Sequence, residues 1–519
     1  MERNTLVIIS AASMLASCQQ NVEILEWTVS SRDHYFQQAE CNVSEAVADA
    51  KTICIDPSDT AQTIKGFGTC FNELGWASLQ LLPKATIEEI FTELYTPAGA
   101  NFNRARMSMG ANDFALDYYS PADTDGDFEL RDFSIERDKQ TLIPMMKHAL
   151  NANPDIYWFA SPWCPPRWMK KTKHYAERAV TEEMVVRMKA REEARKTTKP
   201  GEAGGVSATS GFYNDGPLAF RIQPQVNDAV PGEEGAEGCT SFNMQPEYLD
   251  AYARLFGKFV EAYRAEGINI QMVMPQNEMN SAQPYPSCCW TSEDLNIFIG
   301  QYLGPEMEKH QTDIYFGTEE RANPLLVDTL LQDPASSKYI KGVAFQWAGK
   351  DALPTIHQNY PDLDLVQSEQ ECGNGRNNWE GAMHSWDLQR HYLSNGVTQY
   401  YYWNTSLLAD KPSRWGWFQN SLVTVNEEDK SWTFTPEYYE LKHLSHYVKP
   451  GAKRLLLEGS TYDDMLGFIN PDGSIALIVA NQTEDSLPLN IKLIGKTFSI
   501  NITPETLYSI LFLGKANKW

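Results

Sequence analysis

Two glutamates each close a short apolar run. Glu278 ends Gln271-Met-Val-Met-Pro-Gln-Asn-Glu278, and Glu369 ends Leu363-Asp-Leu-Val-Gln-Ser-Glu369. Brought face to face, such a pair suffices for glycoside hydrolysis: one carboxyl protonates the leaving oxygen while the other attacks or stabilises the oxocarbenium-like centre. An isolated Glu is more often a solvated or ion-paired surface residue, so the elements that carry the two decide whether they meet.

The clearest helix starts near Pro246 and runs to Glu266, with Leu249, Tyr252, Phe256, Phe259 and Tyr263 recurring every three or four residues. Pro246 suits the first helical turn and Gly267 the C-terminal cap. The run Ile268 to Met274 follows at once, and as a strand it carries Asn277 and Glu278 out at its carboxyl end. Asp155 to Ala160, Lys341 to Phe345 and Thr398 to Tyr402 have the same character. Each leads into polar or aromatic residues: Ser161-Pro-Trp-Cys-Pro-Pro166, Gln346-Trp347 and Trp403-Asn404. Short apolar runs alternating with amphipathic segments predict βα units, here an α/β (β/α)8 TIM barrel over 58–447, whose chemistry sits at the carboxyl ends of its strands.

Two stretches break the pattern. An insertion at about 170–244 contains a charge-rich helical run, Thr181 to Lys196, and a Gly/Pro/acidic stretch through Gly238; it follows a strand exit and reads as a partial lid over a cleft. After Val448 come short strands separated by turn signals such as Asn470-Pro-Asp-Gly473, which predict a side β-sandwich from 448–519 completed by 51–57. Ahead of these, 18–50 reads as a tether. The apolar run Leu6 to Leu15 is too short to span a bilayer and precedes Leu15-Ala-Ser-Cys18. It resembles a bacterial lipoprotein signal over 1–17 with Cys18 as the lipidated residue, although Glu2 stands beside Arg3 where a more basic start is usual. Gln19 after the cysteine, and not Asp, leans by that analogy towards the outer membrane; a periplasmic secreted protein is the alternative address.

The chain has 519 residues, 22% charged and 42% hydrophobic, with a formal net charge of -24, which suits a soluble globular protein and disfavours nucleic-acid or anionic-membrane partners, since those need basic patches. A membrane contact is expected only through the N-terminal lipid. The cysteines left after Cys18 show no metal-ligand spacing, so neither metal nor organic cofactor is expected, and disulfide partners cannot be assigned from their positions. The 14 Trp and 24 Tyr can pack large cores or line a sugar cleft.

Four segments together resemble glycoside hydrolase family 30, the glucosylceramidase-like and β-1,6-glucanase-like group with a (β/α)8 barrel and side sandwich. They are Lys65-Gly-Phe-Gly68, Ala160-Ser-Pro-Trp-Cys-Pro-Pro-Arg-Trp168, Gln276-Asn-Glu278 and Val366-Gln-Ser-Glu369. The resemblance implies Glu278 as acid/base and Glu369 as nucleophile of a retaining double displacement, with carboxyl groups about 5 to 5.5 Å apart. A charge on Glu369 would then raise the pKa of Glu278. Glu371 is the rival nucleophile, two residues on along a strand. By the same resemblance Asn277 binds the sugar 2-OH, while Glu73, Arg104, Trp163, Trp403 and Asn404 bind the terminal sugar or support the carboxylates. Gln346-Trp-Ala348 departs from the His-Trp-Tyr-like segment of glucosylceramidases, and the insertion departs from their loops. A carbohydrate partner with a β-glucosidic bond is expected; a β-xylosidase or xylanase of the same family, and a non-catalytic glycan-binding lipoprotein, are the alternatives.

Overall fold

The structure is a computed structural model and describes residues 24–39, 43–49, 51–183, 186, 227–459 and 462–513. The signal segment 1–17, Cys18 and most of the insertion lie outside the described residues. Eight parallel strands close into a barrel in chain order: β1 Gly66–Phe71, β2 Arg104–Ser108, β3 Tyr157–Ser161, β4 Ile270–Val273, β5 Asp313–Glu319, β6 Ile340–Gln346, β7 Asp364–Glu369 and β8 Val397–Tyr402. β1 and β8 are buried along their whole length, as expected of strands covered on both faces. The Lys65-Gly-Phe-Gly68 motif has a steric cause. Gly66 has φ +145°, and a Cβ on Gly68 would fall 1.8 Å from the Arg104 carbonyl oxygen of β2. The helix over Pro246–Ala265 begins on its proline and stops before Gly267, φ +84°, as the sequence predicts.

The second unit is one ten-stranded sheet. Strand Thr506–Phe512 is third in its order and Lys496–Ile502 ninth, a separation of some 29 Å in a flat sheet at about 4.8 Å per strand. Yet the rings of Phe498 and Phe512 lie 5.8 Å apart, so the sheet doubles over into a sandwich with Trp27, Ile53, Leu477, Ile491 and Ile510 inside. Alternation along Ile475–Asn481 divides its side chains between two cores. Ile475, Leu477 and Val479 enter the sandwich, while Ala476, Ile478 and Ala480 join the barrel's cluster.

One sequence reading is corrected here. The segment read as a tether contains strands: Ile24–Ser31 pairs with Thr506–Phe512, His34–Gln38 pairs with Ile24–Ser31, and Val43–Glu45 edges the far side. The expected strand at 51–57 is the longer Ile53–Thr63, which joins the sheet between Lys453–Glu458 and Leu487–Leu493. Alternation in Trp27-Thr-Val-Ser30 was the signal; the polar residues around it masked the pattern.

His443 seals the seam between the units. Ser509 Oγ donates to the His443 carbonyl at 3.0 Å, so it must accept from Nδ1–H at 2.8 Å, which leaves Nε2 to accept from Ser30 Oγ at 2.7 Å. Burial, then the charges of Lys442 and His446, depress its pKa to about 3. The unfolded chain therefore binds the extra proton between pH 6.5 and about 3, and stability must fall on acidification through that window. His443→Gln should remove about 1 to 2 kcal/mol of the stability lost between pH 6.5 and 5. Denaturation at the two pH values checks this; an unchanged pH difference in the variant sinks it.

Candidate active site

The site is assembled where β2, β6, β7 and the segment after β4 converge. Glu369 is the last residue of β7. Glu278 follows β4 by five residues with its backbone in the left-handed region, φ 48°, and its N–H donates to Thr318 Oγ1 at 2.9 Å. Such a conformation costs a non-glycine residue on the order of 1 to 3 kcal/mol and persists only where surrounding contacts impose it. Those contacts are made by the two residues before it: Asn277 N–H donates to the Pro162 carbonyl at 2.7 Å, and Gln276 Nε2 donates to the Trp163 carbonyl at 2.7 Å.

The two carboxyl groups share a neighbour. Gln346 Nε2 lies 3.3 Å from Glu278 Oε1 and 3.4 Å from Glu369 Oε2. Those two oxygens are thus no more than about 7 Å apart, a bound that admits the about 5 to 5.5 Å of retaining pairs and excludes all but the lower end of the inverting range, about 6.5 to 9.5 Å.

Arg106 organises the floor. Its guanidinium is fully buried; Nη1 donates to Glu369 Oε2 at 2.8 Å and the Ser368 carbonyl at 3.0 Å, and Nη2 donates to Asn277 Oδ1 at 2.6 Å and Ser161 Oγ at 3.1 Å. The face of Trp163 covers it at 4.5 Å. Asn277 Oδ1 also accepts from Thr318 Oγ1 at 3.1 Å, which turns its amide NH2 away from Arg106.

Burial is the first cause of raised pKa at both glutamates. At Glu278 the charge of Glu369 adds to it, and the acid is pushed well above the usual carboxylate range. At Glu369 the guanidinium of Arg106 and bonds from Trp347 and Gln346 oppose burial, so its rise is smaller. Glu369 therefore ionises first and Glu278 keeps its proton. The charge of Glu369 raises Glu278 in the expected direction, with desolvation the larger effect.

A cavity of about 570 Å³ opens above, lined by Asp113, Trp163, Glu278, Tyr285, Trp347 and Glu369 together with Glu320, Glu371 and Trp417. Of the sequence-predicted residues, Glu278, Glu369 and Trp163 line it, and Asn277 touches both Arg106 and Gln346 beside it. The other four do not line it. Arg104 lies at the entry of β2, its guanidinium over the Tyr157 ring at 4.8 Å; the arginine at Glu369 is Arg106, two residues on and on the same strand face. Glu73 is buried with both oxygens bound by Arg137 at 2.8 and 2.9 Å and does not line this cavity. Asn404 is fully buried and bonds Asn72, Gln419 and the Asn420 carbonyl, supporting the loop that carries Gln419. Trp403 stands behind the wall, its ring stacked on Trp163 at 5.2 Å.

Glu371 is engaged elsewhere. Lys350 at 2.8 Å and His384 at 3.4 Å outweigh its burial and hold it below the usual range. Sequence reasoning missed Asp113, Tyr285, Glu320 and Trp417, which sit on loops without periodicity. Among the described residues no group of three or more His, Cys, Asp or Glu side chains is arranged to hold a metal ion. The described cysteines, including Cys288 and Cys289, are free thiols.

The flanks of the insertion pack on the loop after Glu278. Lys171 N–H donates to the Ser241 carbonyl, Glu177 N–H to the Gln283 carbonyl at 3.0 Å, and the fully buried Lys170–Glu177 ion pair at 2.8 Å fastens this corner. The rest of the expected lid lies outside the described residues.

Comparison with known proteins follows the same division. The profile described as "Glycosyl hydrolase family 30 TIM-barrel domain" matches residues 64–184 and 226–448, and that of the family 30 beta sandwich domain matches 451–510. The gap in the first falls in the insertion. The chain is 25% identical over 468 residues to the lysosomal acid glucosylceramidase of Mus musculus, covering 85% of this chain and 79% of the mouse protein. It is 25% identical over 446 residues to an endo-1,6-beta-D-glucanase of Aspergillus fumigatus, covering 81% and 78%. Among solved structures, an endo-beta1,6-glucanase aligns with TM-score 0.72 at 25% identity over 94% of this chain and 99% of that one. SrfJ from Salmonella typhimurium aligns with TM-score 0.76 at 22% identity, covering 94% and 98%, which speaks for the fold alone.

Replacing Arg106 with Met leaves Glu369 buried without its cation, a loss of about 3 to 5 kcal/mol. Turnover should fall by about 10²-fold or more with an upward shift of the acidic limb of its pH profile. Arg104→Met should stay within a few-fold of wild type. Equal losses in the two variants would contradict the assignment of the cation.

Proposed function

Because the chain belongs to glycosyl hydrolase family 30 and is therefore a glycoside hydrolase, we propose that it cleaves β-glucosidic bonds between sugars by a retaining double displacement on Glu278 and Glu369. One observation carries the reading: two buried carboxyls within reach of a single amide, one paired with a buried cation and the other not.

The roles follow from the contacts. Glu369 Oε2 is held by Arg106 and Gln346, whereas Oε1 has only a long contact, 3.4 Å, from Trp347 Nε1, so Oε1 is the oxygen that attacks the anomeric carbon. As that bond forms, the glycosidic C–O bond breaks and the Glu278 proton passes to the departing oxygen. Glu278, now a carboxylate beside a neutral glycosyl ester, then takes a proton from water as the water oxygen replaces Glu369 at the anomeric carbon. The amide NH2 of Asn277 is the donor left for the sugar 2-OH. Asp113, pushed up by burial and then by the charge of Glu369, keeps a proton and can donate to a sugar hydroxyl in the innermost position.

The outer cavity favours a saccharide as leaving group over a ceramide. Trp347 and Trp417 offer flat faces, and Gln283, Glu320, Arg321 and Gln419 offer donors and acceptors among them. Among the described residues none of the exposed large aliphatic side chains lines the cavity, as lipid chains would require. The relatives named for endo-1,6-beta-glucanase activity agree with this choice.

A panel of aryl β-glucosides and β-xylosides, β-1,6- and β-1,3-glucans and glucosylceramide tests the reading. Sugar release from a β-glucan with weak turnover of glucosylceramide is expected. Preference for xylosides or for the lipid overturns the substrate, and no turnover of anything overturns the enzyme.

Activity needs Glu369 ionised and Glu278 protonated, so it rises with pH through the first group and falls through the second; with both raised, the bell lies above that of carboxyls near pH 4.3. Glu278→Gln should abolish the alkaline limb and cost about 10² to 10⁴-fold on poor leaving groups but little on an activated aryl glucoside. Glu369→Gln should be inactive on both. A surviving alkaline limb in the first variant removes Glu278 from its role.

For the address we read Leu15-Ala-Ser-Cys18 as a lipid-attachment signal. Cys18→Ser should move the protein from the membrane to the soluble fraction, and an unchanged distribution contradicts the anchor.

A further inference from the structure

Gln346 occupies an unusual position between the carboxyls, because its one amide nitrogen is the only described group that contacts both. Nε2 lies 3.3 Å from Glu278 Oε1, 3.4 Å from Glu369 Oε2 and 3.3 Å from Asn277 Oδ1. These are long hydrogen bonds, two hydrogens shared among three acceptors, so each is individually weak.

The orientation of the amide is nevertheless determined. Ser368 Oγ donates to Gln346 Oε1 at 2.9 Å, and Arg106 Nη1 approaches the same oxygen at 3.5 Å. An oxygen facing two donors cannot exchange places with the NH2 without setting donor against donor, so the NH2 is fixed towards the carboxyls. Gln346 itself is fully buried at the end of β6.

We propose that Gln346 is a positioning residue that links the acid/base to the nucleophile, holding the reactive proton on one oxygen of Glu278 while supporting the negative charge of Glu369. The proposal rests on the roles given above to those two glutamates. By donating to Glu278 Oε1, the amide occupies that oxygen and leaves the proton to Oε2, where Tyr285 Oη, which donates to Oε2 of the carboxylate at 3.2 Å, turns its hydroxyl to accept from the neutral acid. By donating to Glu369 Oε2 alongside Arg106, it leaves Oε1 as the attacking atom. A neutral amide does this without adding a titrating group between the two carboxyls, as an imidazole would.

The link also carries information through the cycle. When Glu369 becomes a glycosyl ester, its Oε2 is a poorer acceptor, and the shared hydrogens shift towards Glu278, which at that stage is the carboxylate that must collect a proton from water. The same nitrogen thus supports whichever glutamate is charged.

The test is the pH profile of an aryl β-glucoside with Gln346→Met, which keeps length and removes the donors. Bonds from Gln346 favour the charged form of both glutamates, so their loss raises both pKa values. Both limbs should move upward together by about half to one pH unit, with kcat reduced about 10-fold or more and KM changed less. A residue that only fills space would lower the rate at every pH and leave both limbs where they are, and that result overturns the proposal. Should Gln346→Met fail to fold, Ser368→Ala frees the amide while leaving the side chain in place; a smaller shift of both limbs in the same direction is expected, and unmoved limbs overturn the proposal equally. Wild-type turnover with unmoved limbs in the variants removes the link alone, whereas absence of wild-type turnover on every β-glucoside removes the underlying assignment as well.

Discussion

The buried guanidinium of Arg106 is the constraint on which the site depends. A cation removed from water in a barrel interior is tolerable only if its hydrogens are matched by acceptors and its charge by an anion. Glu369 supplies the anion, while Ser161, Asn277 and the Ser368 carbonyl supply acceptors for the two terminal nitrogens, so that among the described residues only Nε is left without one. Those groups come from β3, from the segment after β4 and from β7, so one charge determines the relative position of three separate pieces of chain. The aromatic faces of Trp163 and Trp403 complete the enclosure, at 4.5 and 5.5 Å from the guanidinium carbon. The site is precise because moving any one of these pieces would strand a buried charge.

The electrostatics of the cavity differ from those of the surface. The chain carries a formal charge of -24, but the acids around the cavity are largely kept neutral. Burial raises Glu278 and Asp113, and Glu320 is pushed up to about 7, again by burial first, against the opposing charge of Arg321. Glu369, paired with Arg106, and Glu371, held low by Lys350 and His384, ionise ahead of the other acids of the lining, of which Glu278 and Asp113 retain protons. Such a lining presents hydrogen-bond donors to sugar hydroxyls, and it does not repel the electron-rich oxygens of a neutral saccharide as a cluster of carboxylates would.

Legibility in the sequence followed the physics of each element. Strands and helices of the barrel announce themselves by apolar periodicity, and both catalytic candidates stand beside such runs, so they could be found together with Asn277 and Trp163. Arg104 was chosen in place of Arg106 because period two puts both on one face of β2 and leaves depth in the barrel undetermined. Glu73 looked available because nothing in its neighbourhood in sequence shows that Arg137, 64 residues on, takes both its oxygens. Asp113 and Trp417 belong to loops shaped by contacts with distant segments, for which no local pattern exists. The strand Ile24–Ser31 was passed over since its partner lies at the opposite end of the chain.

That pairing bears on how the molecule comes to be built. Ile24–Ser31 is bonded along its length to Thr506–Phe512, so among the described residues the first strand waits for the last. Every barrel strand lies between them in sequence. The sandwich cannot close before synthesis reaches its final residues, and closure over so many intervening positions carries a large entropic cost unless the barrel has already collapsed and brought the ends near each other. The edge of Ile24–Ser31 that faces away from His34–Gln38 is therefore unpaired for most of the chain's synthesis, and assembly runs from the barrel outward with the terminal strands as its last, locking step.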